Sequence, residues 1–239
     1  FALPYEYYEN DHVRRYGAHG TSHRFVAYRA AELMGKDLKD FKLITCHLGN
    51  GASITAIKDG KVLDTSMGLT PLDGFMMGTR CGGVDPSAVT FIMDKHNISP
   101  KEMDTIMNKK SGVLGISGVH SDDRVVKQAA KDGNARAKLA RDMQWYQIRK
   151  YIGSYVAAMD GVDCIVFTGG IGENCDDLRA DVCKNLSFLD IKIDEQLNAS
   201  IHGDEAELTL PGCKVRVFVI PTNEELAIAR DTKAIAEAL

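Results

Sequence analysis

Glycine-rich segments carry the residues of this 239-residue chain that are best suited to chemistry. Residues 49–51 (Gly-Asn-Gly) follow a short apolar run and form a turn with accessible backbone N–H groups, which is what a phosphate needs. Three other residues whose side chains could take part in catalysis or binding lie on or beside further glycine-rich segments: His19, Arg80 and Asp122. We expect these segments to complete a pocket around the phosphate.

A second glycine-rich turn follows a later apolar run. Residues 163–176 read as strand, glycine loop and helix, a general nucleotide-binding arrangement in which glycines let the backbone approach a phosphate or base. Cys175 stands where the third glycine of G-x-G-x-x-G would be, which disfavours a dinucleotide site. The chain contains neither a P-loop motif nor the protein-kinase motifs, so both of those site classes are excluded.

The pattern around the first turn predicts a strand meander. The expected strands are residues 43–47, 53–58 and 61–66, and Asp59-Gly60 suits a type I′ hairpin. Ahead of them, Thr21 or Ser22 is expected to cap a helix that runs to Met34 and ends at Gly35. After them, residues 67–86 form a long irregular loop, which is unusual without a function.

The rest of the chain predicts helices around two more strands. Helices are expected at 86–96, at 100–109, from the acidic cap at 122–123, at 134–160, from 176 and at 224–239, the last capped by Thr222 or Asn223. Strands are expected at 164–167 and 214–220, and glycine-spaced loops at 112–118 and 168–174. The long helix carries one apolar stripe: Leu139, Met143, Tyr146, Ile152, Tyr155, Val156 and Met159.

Composition excludes several classes of protein. The net charge of −4 gives no support for nucleic-acid binding, and no apolar run approaches the ~18 residues of a membrane span. Six cysteines without a C-x-x-C pair indicate reduced thiols in a cytoplasmic protein. The first residues lack a signal-peptide pattern and an initiator Met, so we expect the chain to begin within a longer protein.

The strand meander, the two nucleotide turns and the glycine-rich loops have the layout of an α/β, actin-like (ribonuclease H-like) ATPase domain. Six strings in addition resemble acetate kinases across essentially the whole chain, and the wider carboxylate kinases that form acyl phosphates are the next nearest match. The strings are RRYGAHGTSH (14–23), HLGNGAS (47–53), DTSMGLTPLDGFMMGTRCG (64–82), GISGVHSDDR (115–124), FTGGIGEN (167–174) and PTNEE (221–225).

The resemblance implies reversible, Mg²⁺-dependent phosphoryl transfer from ATP to acetate, giving ADP and acetyl phosphate. It also implies an N-terminal domain that carries further catalytic groups. We expect this domain to be missing from the sequence, which begins at Phe1. Residues 1–221 would then be the second, actin-like domain, and residues 222–239 a helix that packs on the missing first domain. The isolated chain is expected to be inactive, and the family's homodimer to form through this domain with the stripe on 134–160 contributing.

The resemblance also assigns roles to individual residues. His19 and Arg80 match the catalytic pair that offsets charge repulsion between two anions, and Glu224 matches a glutamate linked to Mg²⁺, although Glu225 is adjacent. The residues that match the nucleotide-binding loops are His47, Leu48, Gly49, Asn50, Gly51, Asp122, Asp123, Arg124, Gly170, Ile171, Gly172, Glu173 and Asn174. Ala18, Gly83 and Asp123 depart from the usual family residues.

Simpler readings of these residues remain open at this point. Arg80 would serve equally as a surface arginine, the 49–51 turn as an ordinary strand connection, and Glu224 as a first-turn carboxylate that favours its helix. His19 and His23 have the i, i+4 spacing of a zinc pair, but no third ligand is evident and a metal site there is disfavoured.

Two other functions remain open beside acetate kinase. A propionate or butyrate kinase is the first, because no residue fixes the acyl length. A nucleotide-binding module without turnover is the second, because catalytic groups are expected in the missing part.

Overall fold

The computed structural model describes residues 1–238. Its helices are α1 (Glu6–Glu9), α2 (Gly20–Met34), α3 (Pro86–His96), α4 (Pro100–Lys109), α5 (Gly112–Ser117), α6 (Asp123–Lys131), α7 (Ala135–Met159), α8 (Gly169–Asn174), α9 (Asp176–Lys184), α10 (Glu195–Ser200) and α11 (Glu224–Glu237). Its strands are β1 (Leu43–Leu48), β2 (Ala52–Lys58), β3 (Lys61–Thr65), β4 (Cys164–Thr168), β5 (Ala206–Glu207) and β6 (Arg216–Val219).

The chain divides into two compact units, and each is assembled from segments that are distant in sequence. The first comprises Phe1–Ala18, Gly49–Ser53 and Ser66–Tyr151. The second comprises His19–Leu48, Ile54–Thr65 and Ile152–Leu239.

The second unit is built on a six-stranded mixed sheet in the order β3-β2-β1-β4-β6-β5. The central strands β1, β4 and β6 are parallel, with Leu43 paired to Cys164 and Cys164 paired to Arg216. The outer pairs β2/β3 and β5/β6 are antiparallel. Every residue of β4 is buried, as expected for a parallel strand that is covered on both faces.

Helix α2 covers one face of this sheet. Its small buried residues Val26, Ala27 and Ala30 allow the helix to approach closely, and Phe41 completes the layer. The sheet residues in the same apolar cluster are Leu43, Ile57, Cys164, Val166, Phe218 and Ile220. Helix α2 ends where the sequence predicts, because Gly35 takes the left-handed conformation at φ 64°.

The first unit has its own small core. Met76 packs with Val113, Val126, Ala137 and Ala140, which brings the long loop after β3 against α5, α6 and the N-terminal part of α7. Two glutamines of α7 fix the loop backbone: the Met76 N–H donates to Gln147 Oε1 at 2.7 Å, and Gln144 Nε2 donates to the Met76 carbonyl at 3.3 Å. The irregular 67–86 segment is therefore held firmly despite having no helix or strand.

Most predicted elements are confirmed within one or two residues. The Asp59-Gly60 turn has φ values of 54° and 73°, as a type I′ turn requires. Proline begins α3 and α4 after the caps Asp85 and Ser99, and Asn223 caps α11 through the Leu226 N–H. The predicted end of the last helix at Leu239 lies outside the described residues.

Two predicted loops are helices instead. Residues 112–117 form α5, because the Val113 and Leu114 N–H groups of its first turn donate to distant carbonyls, those of Met77 and Gly78. Residues 169–174 form α8, in which Glu173 accepts from the first N–H group and the Asn174 amide donates to the Gly170 carbonyl. Contacts made by side chains or by distant backbone thus override the glycine content.

The structure refines two further details. Helix α2 begins at Gly20 and not after Thr21 or Ser22, because the Ser22 hydroxyl bonds His47 and does not cap the helix. On α7, Leu139 and Tyr146 of the predicted stripe are 50% and 55% exposed. The buried face of α7 is instead formed by Ala137, Ala140, Gln144, Ile148, Ile152, Tyr155 and Met159.

Within residues 1–238, none of the helices combines the length and apolar character that crossing a lipid bilayer requires.

Candidate active site

Three histidines form a cluster in the second unit. His19 immediately precedes α2 with a left-handed φ of 59°, and its ring stacks on His47 of β1 with centroids 4.1 Å apart and planes 18° apart. His23, one turn into α2, lies 6.2 Å from the His47 ring. Hydroxyl groups fix two of the rings: Ser22 Oγ bonds His47 Nδ1 at 2.8 Å, and Thr45 Oγ1 bonds His23 Nδ1 at 2.7 Å.

The rings beside His19 are held in their neutral form. Burial, together with the neighbouring His47 and His19, lowers the pKa of His23 from 6.5 to about 3. Burial and the proximity of His19 lower the pKa of His47 to about 4. Two of the three imidazoles, those of His23 and His47, are therefore uncharged at neutral pH, and each presents a neutral ring beside His19.

Arg80 lies in the first unit, on a turn of the 67–86 segment. Its Nη1 donates to the Pro71 carbonyl at 3.1 Å and also approaches Met77 Sδ at 3.7 Å. These contacts engage one end of the guanidinium. The planar group has five N–H donors in all, enough to grip phosphoryl oxygens in addition.

The Arg80 turn packs directly on the predicted phosphate turn. The Gly78 N–H donates to the Asn50 carbonyl at 3.0 Å, and a Cβ added at Gly78 would lie 1.6 Å from Asn50 Oδ1. The same Cβ would lie 3.2 Å from the Ser121 carbonyl, next to Asp122. A side chain at 78 would therefore displace the Asn50 amide and press on the Ser121 carbonyl. Within the first unit, the structure thus brings together the predicted segments around Asn50, Arg80 and Asp122.

The 49–51 turn uses part of its own hydrogen-bonding capacity. The Gly49 N–H donates to the Gly51 carbonyl at 3.1 Å, which closes the turn. His47 and Leu48, predicted for the same phosphate loop, end β1 in the second unit.

Asp122 and Arg124 are paired with each other. Arg124 donates through Nε and Nη2 to the two Asp122 oxygens at 3.0 and 2.6 Å, and the Asp122 N–H donates to His120 Nδ1 at 2.9 Å. The Arg124 hydrogen bonds lower the pKa of Asp122 to about 2. Asp123 points elsewhere, toward Arg141 of α7 at 3.4 Å. Arg124 is thus an exposed side chain paired with the partly exposed Asp122, while Asp123 contributes to packing.

In the second unit, Glu173 stabilises the backbone of its own glycine loop. Its Oε1 accepts from the Gly169 N–H at 2.8 Å and from the Thr222 N–H at 3.2 Å. Gly169 must be glycine, because its φ is 76° and a Cβ would lie 2.8 Å from the Leu48 carbonyl. The Glu173 carboxylate therefore ties the turn after β4 to the segment that precedes α11.

Sequence reasoning missed Arg179, which is fully buried in α9. Its guanidinium donates five hydrogen bonds, to the carbonyls of Gly172, Glu173, Asn198 and Ile201 and to Asn198 Oδ1. Burial lowers the pKa of this arginine. The signal was present, because Arg179 lies beside Leu178 and Val182 on the apolar face of a helix. A buried cation among carbonyls fixes the 170–174 segment.

Glu224 begins α11, and both it and Glu225 are exposed. Carboxylate oxygens are hard donors that suit Mg²⁺, which takes one or two protein carboxylates together with substrate phosphates. No group of three or more His, Cys, Asp or Glu side chains in residues 1–238 is arranged to hold a metal. The residues present fit a Mg²⁺ ion that arrives with a nucleotide.

The predicted residues fall into both units. Asn50, Arg80, Asp122 and Arg124 belong to the first, and His19, His47, residues 170–174 and Glu224 belong to the second. The convergence of His19 and Arg80 on one phosphate therefore stays a prediction.

The mixed sheet with helices on its faces, and the glycine-rich turns that follow β1 and β4, define an actin-like ATPase domain. The sequence model of the acetokinase family matches residues 1–230. This chain belongs to the acetokinase family.

Curated relatives match over the whole chain. An acetate kinase of Halothermothrix orenii is 56% identical over 238 residues, which is 100% of this chain and 60% of the relative. An acetate kinase of Methanosarcina barkeri is 56% identical over 237 residues, which is 99% of this chain and 58% of the relative. The chain thus spans about 60% of the length of the curated relatives that it matches.

Solved structures match equally well. The crystal structure of Porphyromonas gingivalis acetate kinase matches with a TM-score of 0.96 at 51% identity. The match covers 99% of this chain and 59% of the acetate kinase chain. A propionate kinase from Francisella tularensis has a TM-score of 0.89 at 44% identity, with 96% and 58% covered. The expected α/β, actin-like fold is confirmed.

Proposed function

We propose that this chain is part of an acetate kinase, which transfers a phosphoryl group reversibly from ATP to acetate and yields ADP and acetyl phosphate. The observation that carries the proposal is 56% identity to an acetate kinase along the entire chain, without a large unmatched segment. All of the predicted site residues lie within the 1–230 match to the family.

Arg80 has the central role in the proposed mechanism. A carboxylate that attacks the γ-phosphate of ATP brings two anions together, and phosphoryl transfer depends on positioning and on neutralising this charge. The Arg80 guanidinium donates to the equatorial oxygens of the transferred group. Its contact with the Pro71 carbonyl orients it without using all of its donors.

His19 is the second donor to the transferred group. The neutral His47 ring packs face to face against it, and Ser22 holds that ring in place. This stacking restricts the rotation of His19, so that a ring N–H can be directed at a phosphoryl oxygen. The left-handed conformation of His19 places it before α2, outside the regular helix.

The other predicted residues bind the nucleotide and its metal ion in this proposal. The 49–51 turn, with His47 and Leu48, binds the phosphates; Asp122 and Arg124, with Asp123 behind them, flank the adenosine; Gly170, Ile171, Gly172, Glu173 and Asn174 line the base and ribose. Glu224 holds Mg²⁺, with Glu225 as the alternative. Mg²⁺ held there would neutralise charge on the nucleotide phosphates.

The remaining assignments concern the complete protein. We assign residues 1–221 to its second, actin-like domain and residues 222–239 to a helix that contacts an N-terminal domain. The coverage of about 60% of the relatives supports a further portion in the complete protein. We place the protein in the cytoplasm, where its six unbridged thiols remain reduced, and we expect it to form a homodimer.

Hydroxylamine trapping tests the proposed activity, because hydroxylamine converts an acyl phosphate into a hydroxamate. We expect this chain alone to bind ATP weakly and to give no hydroxamate from ATP and acetate. Fused behind the N-terminal portion of the Halothermothrix orenii relative, it should give product. Arg80→Ala in the fusion should lower the rate about 10³–10⁵-fold, as for other phosphoryl-clamping arginines. Product from this chain alone would contradict the assigned need for the missing part.

Propionate or butyrate is the alternative substrate, and the 44% identity to a propionate kinase favours testing it. Comparing kcat/KM for acetate, propionate and butyrate in the same fusion decides between them. A fusion that binds ATP but phosphorylates none of the three acids would point to the other alternative, a nucleotide-binding module without turnover.

A further inference from the structure

The backbone of the Arg80 turn is held by the beginning of α5 and the end of α4. The Met77 N–H donates to the Arg80 carbonyl at 3.0 Å, which closes the turn. The other backbone bonds run from Ser111 N to Thr79 O at 3.0 Å, from Val113 N to Met77 O at 2.9 Å, from Leu114 N to Gly78 O at 2.9 Å and from Cys81 N to Met107 O at 3.0 Å. The Thr79 hydroxyl adds a bond to the Asn108 carbonyl at 2.9 Å.

Gly112 is the point of closest approach in this arrangement. A Cβ on Gly112 would lie 2.1 Å from the Met77 carbonyl oxygen, 2.6 Å from the Arg80 carbonyl oxygen and 3.0 Å from the Arg80 nitrogen. All three atoms belong to the backbone, so no side-chain rotation can relieve the overlap. Gly112 also has a φ of 61°, which L-residues rarely adopt.

We propose that Gly112 is a positioning residue for Arg80: it lets α5 bind the carbonyl groups of the 77–79 turn and so fixes the point from which the guanidinium reaches the transferred phosphoryl group. The inference rests on the proposed function and assigns α5 a role in it. Arginine has a long, flexible side chain, and its reach is determined by its backbone only if that backbone is rigid. Here each of residues 77–81 makes at least one backbone hydrogen bond.

The preference of this chain for ATP over ADP tests the proposal, because only the γ-phosphate distinguishes the two ligands. The ATP preference is the Kd for ADP divided by the Kd for ATP. Measured with the unaltered chain, this ratio reports the contact of Arg80 with the γ-phosphate. Arg80→Ala should reduce the ratio about 10–100-fold, since charge-assisted bonds of this kind have such effects. Gly112→Ala should reduce it at least about 10-fold while the Kd for ADP changes little.

Gly133→Ala is the matched control. Gly133 has an equally unusual φ of 91° in the same unit, but a Cβ there meets nothing within 4 Å. The substitution introduces comparable backbone strain without touching the Arg80 turn, and the ATP preference should be retained.

A second pair of variants covers the case in which Gly112→Ala does not fold. Thr79→Val removes the hydroxyl that bonds the Asn108 carbonyl, and Thr79→Ser keeps it. Thr79→Val should lower the ATP preference about 3–10-fold, and Thr79→Ser should restore it. Hydrogen exchange of the 77–81 amides should accelerate in Gly112→Ala and in Thr79→Val. It should not accelerate in Gly133→Ala or in Thr79→Ser.

The outcomes separate this proposal from the proposed function. Loss of the ATP preference in Arg80→Ala, Gly112→Ala and Thr79→Val, with retention in Gly133→Ala and Thr79→Ser, supports both. Loss in Arg80→Ala alone overturns the role of Gly112 and leaves the proposed function intact. An ATP preference that Arg80→Ala does not change overturns the assigned role of Arg80, and the positioning role of Gly112 with it.

Discussion

His23 shows how the environment of a single residue changes its chemistry. It is 4% exposed, one helical turn from His19, and its Nδ1 is bonded to the Thr45 hydroxyl. Desolvation, His47 and His19 all disfavour its charged form. In the sequence, His19 and His23 have the i, i+4 spacing of a zinc pair, although a metal site is disfavoured there. In the structure, His23 is an uncharged residue of the interior that supports the ring cluster beneath His19.

The stability of the chain should depend on His23 between pH 8 and pH 5. Its pKa is about 3 in the folded state and about 6.5 in the unfolded state, so the unfolded chain takes up the proton first as the pH falls. The stabilisation is complete above pH 6.5 and is lost below it, by about 2 kcal/mol at pH 5. Urea denaturation at the two pH values measures this change.

His23→Gln should remove about 2 kcal/mol of that pH dependence, whereas the exposed His202→Gln should leave it unchanged. The remaining slope belongs to His47, whose pKa is about 4 and is also lowered. A His23→Gln chain with the full slope would show that His23 is not held neutral.

At the scale of elements, the end of β4 shows how a glycine and two charged side chains build a turn. β4 ends at Thr168, and Gly169 turns the chain into α8 at a φ of 76°, directly against the Leu48 carbonyl at the end of β1. Glu173 and the buried Arg179 then hold the new helix by hydrogen bonds to its backbone. The glycine that permits this contact and the two charged residues that stabilise it act together.

Gly169→Ala should destabilise the second unit by about 3 kcal/mol. The cost has two parts, the left-handed conformation and the contact of the new Cβ with Leu48. Gly212→Ala is the control, because Gly212 has a φ of 89° but a Cβ there meets nothing within 4 Å. It should cost only about 1 kcal/mol. Chemical denaturation measures the free energy of unfolding of both variants. An equal loss in the two variants would show that the contact with Leu48 contributes nothing to the cost.

At the scale of the whole molecule, the exposed apolar side chains of α7 are informative. Leu139 and Tyr146 lie in the part of α7 that belongs to the first unit, and they are 50% and 55% exposed. Aromatic side chains such as Tyr146 are enriched in the cores of protein interfaces. The proposed homodimer gives these residues a reason to be apolar.

We expect the unaltered chain to sediment as a dimer at micromolar concentration. Leu139→Glu and Tyr146→Glu should shift it to the monomer, because each would place a charge in an apolar contact. Phe188→Glu, which alters a 71% exposed side chain in the second unit, is the control and should remain dimeric. A monomer-sized sedimentation coefficient for the unaltered chain would exclude the dimer.

The sequence by itself determined the features that depend on a few neighbouring residues. Proline and cap residues predicted where α3, α4 and α11 begin, and Asp59-Gly60 predicted its hairpin. Six short strings, several of them rich in glycine, sufficed to indicate the family. Such rules act within about one helical turn, and they hold here because nothing distant opposes them.

Only the tertiary structure decided what depends on partners far away in the chain. Ser22 bonds His47 and not its own helix, Gly112 meets the backbone of Met77, and Arg179 finds its acceptors at Asn198. No local pattern encodes these partners, because each arises when packing brings two distant segments together. Burial then changes the chemistry itself: it keeps His23 neutral and makes Arg179 a support for the backbone.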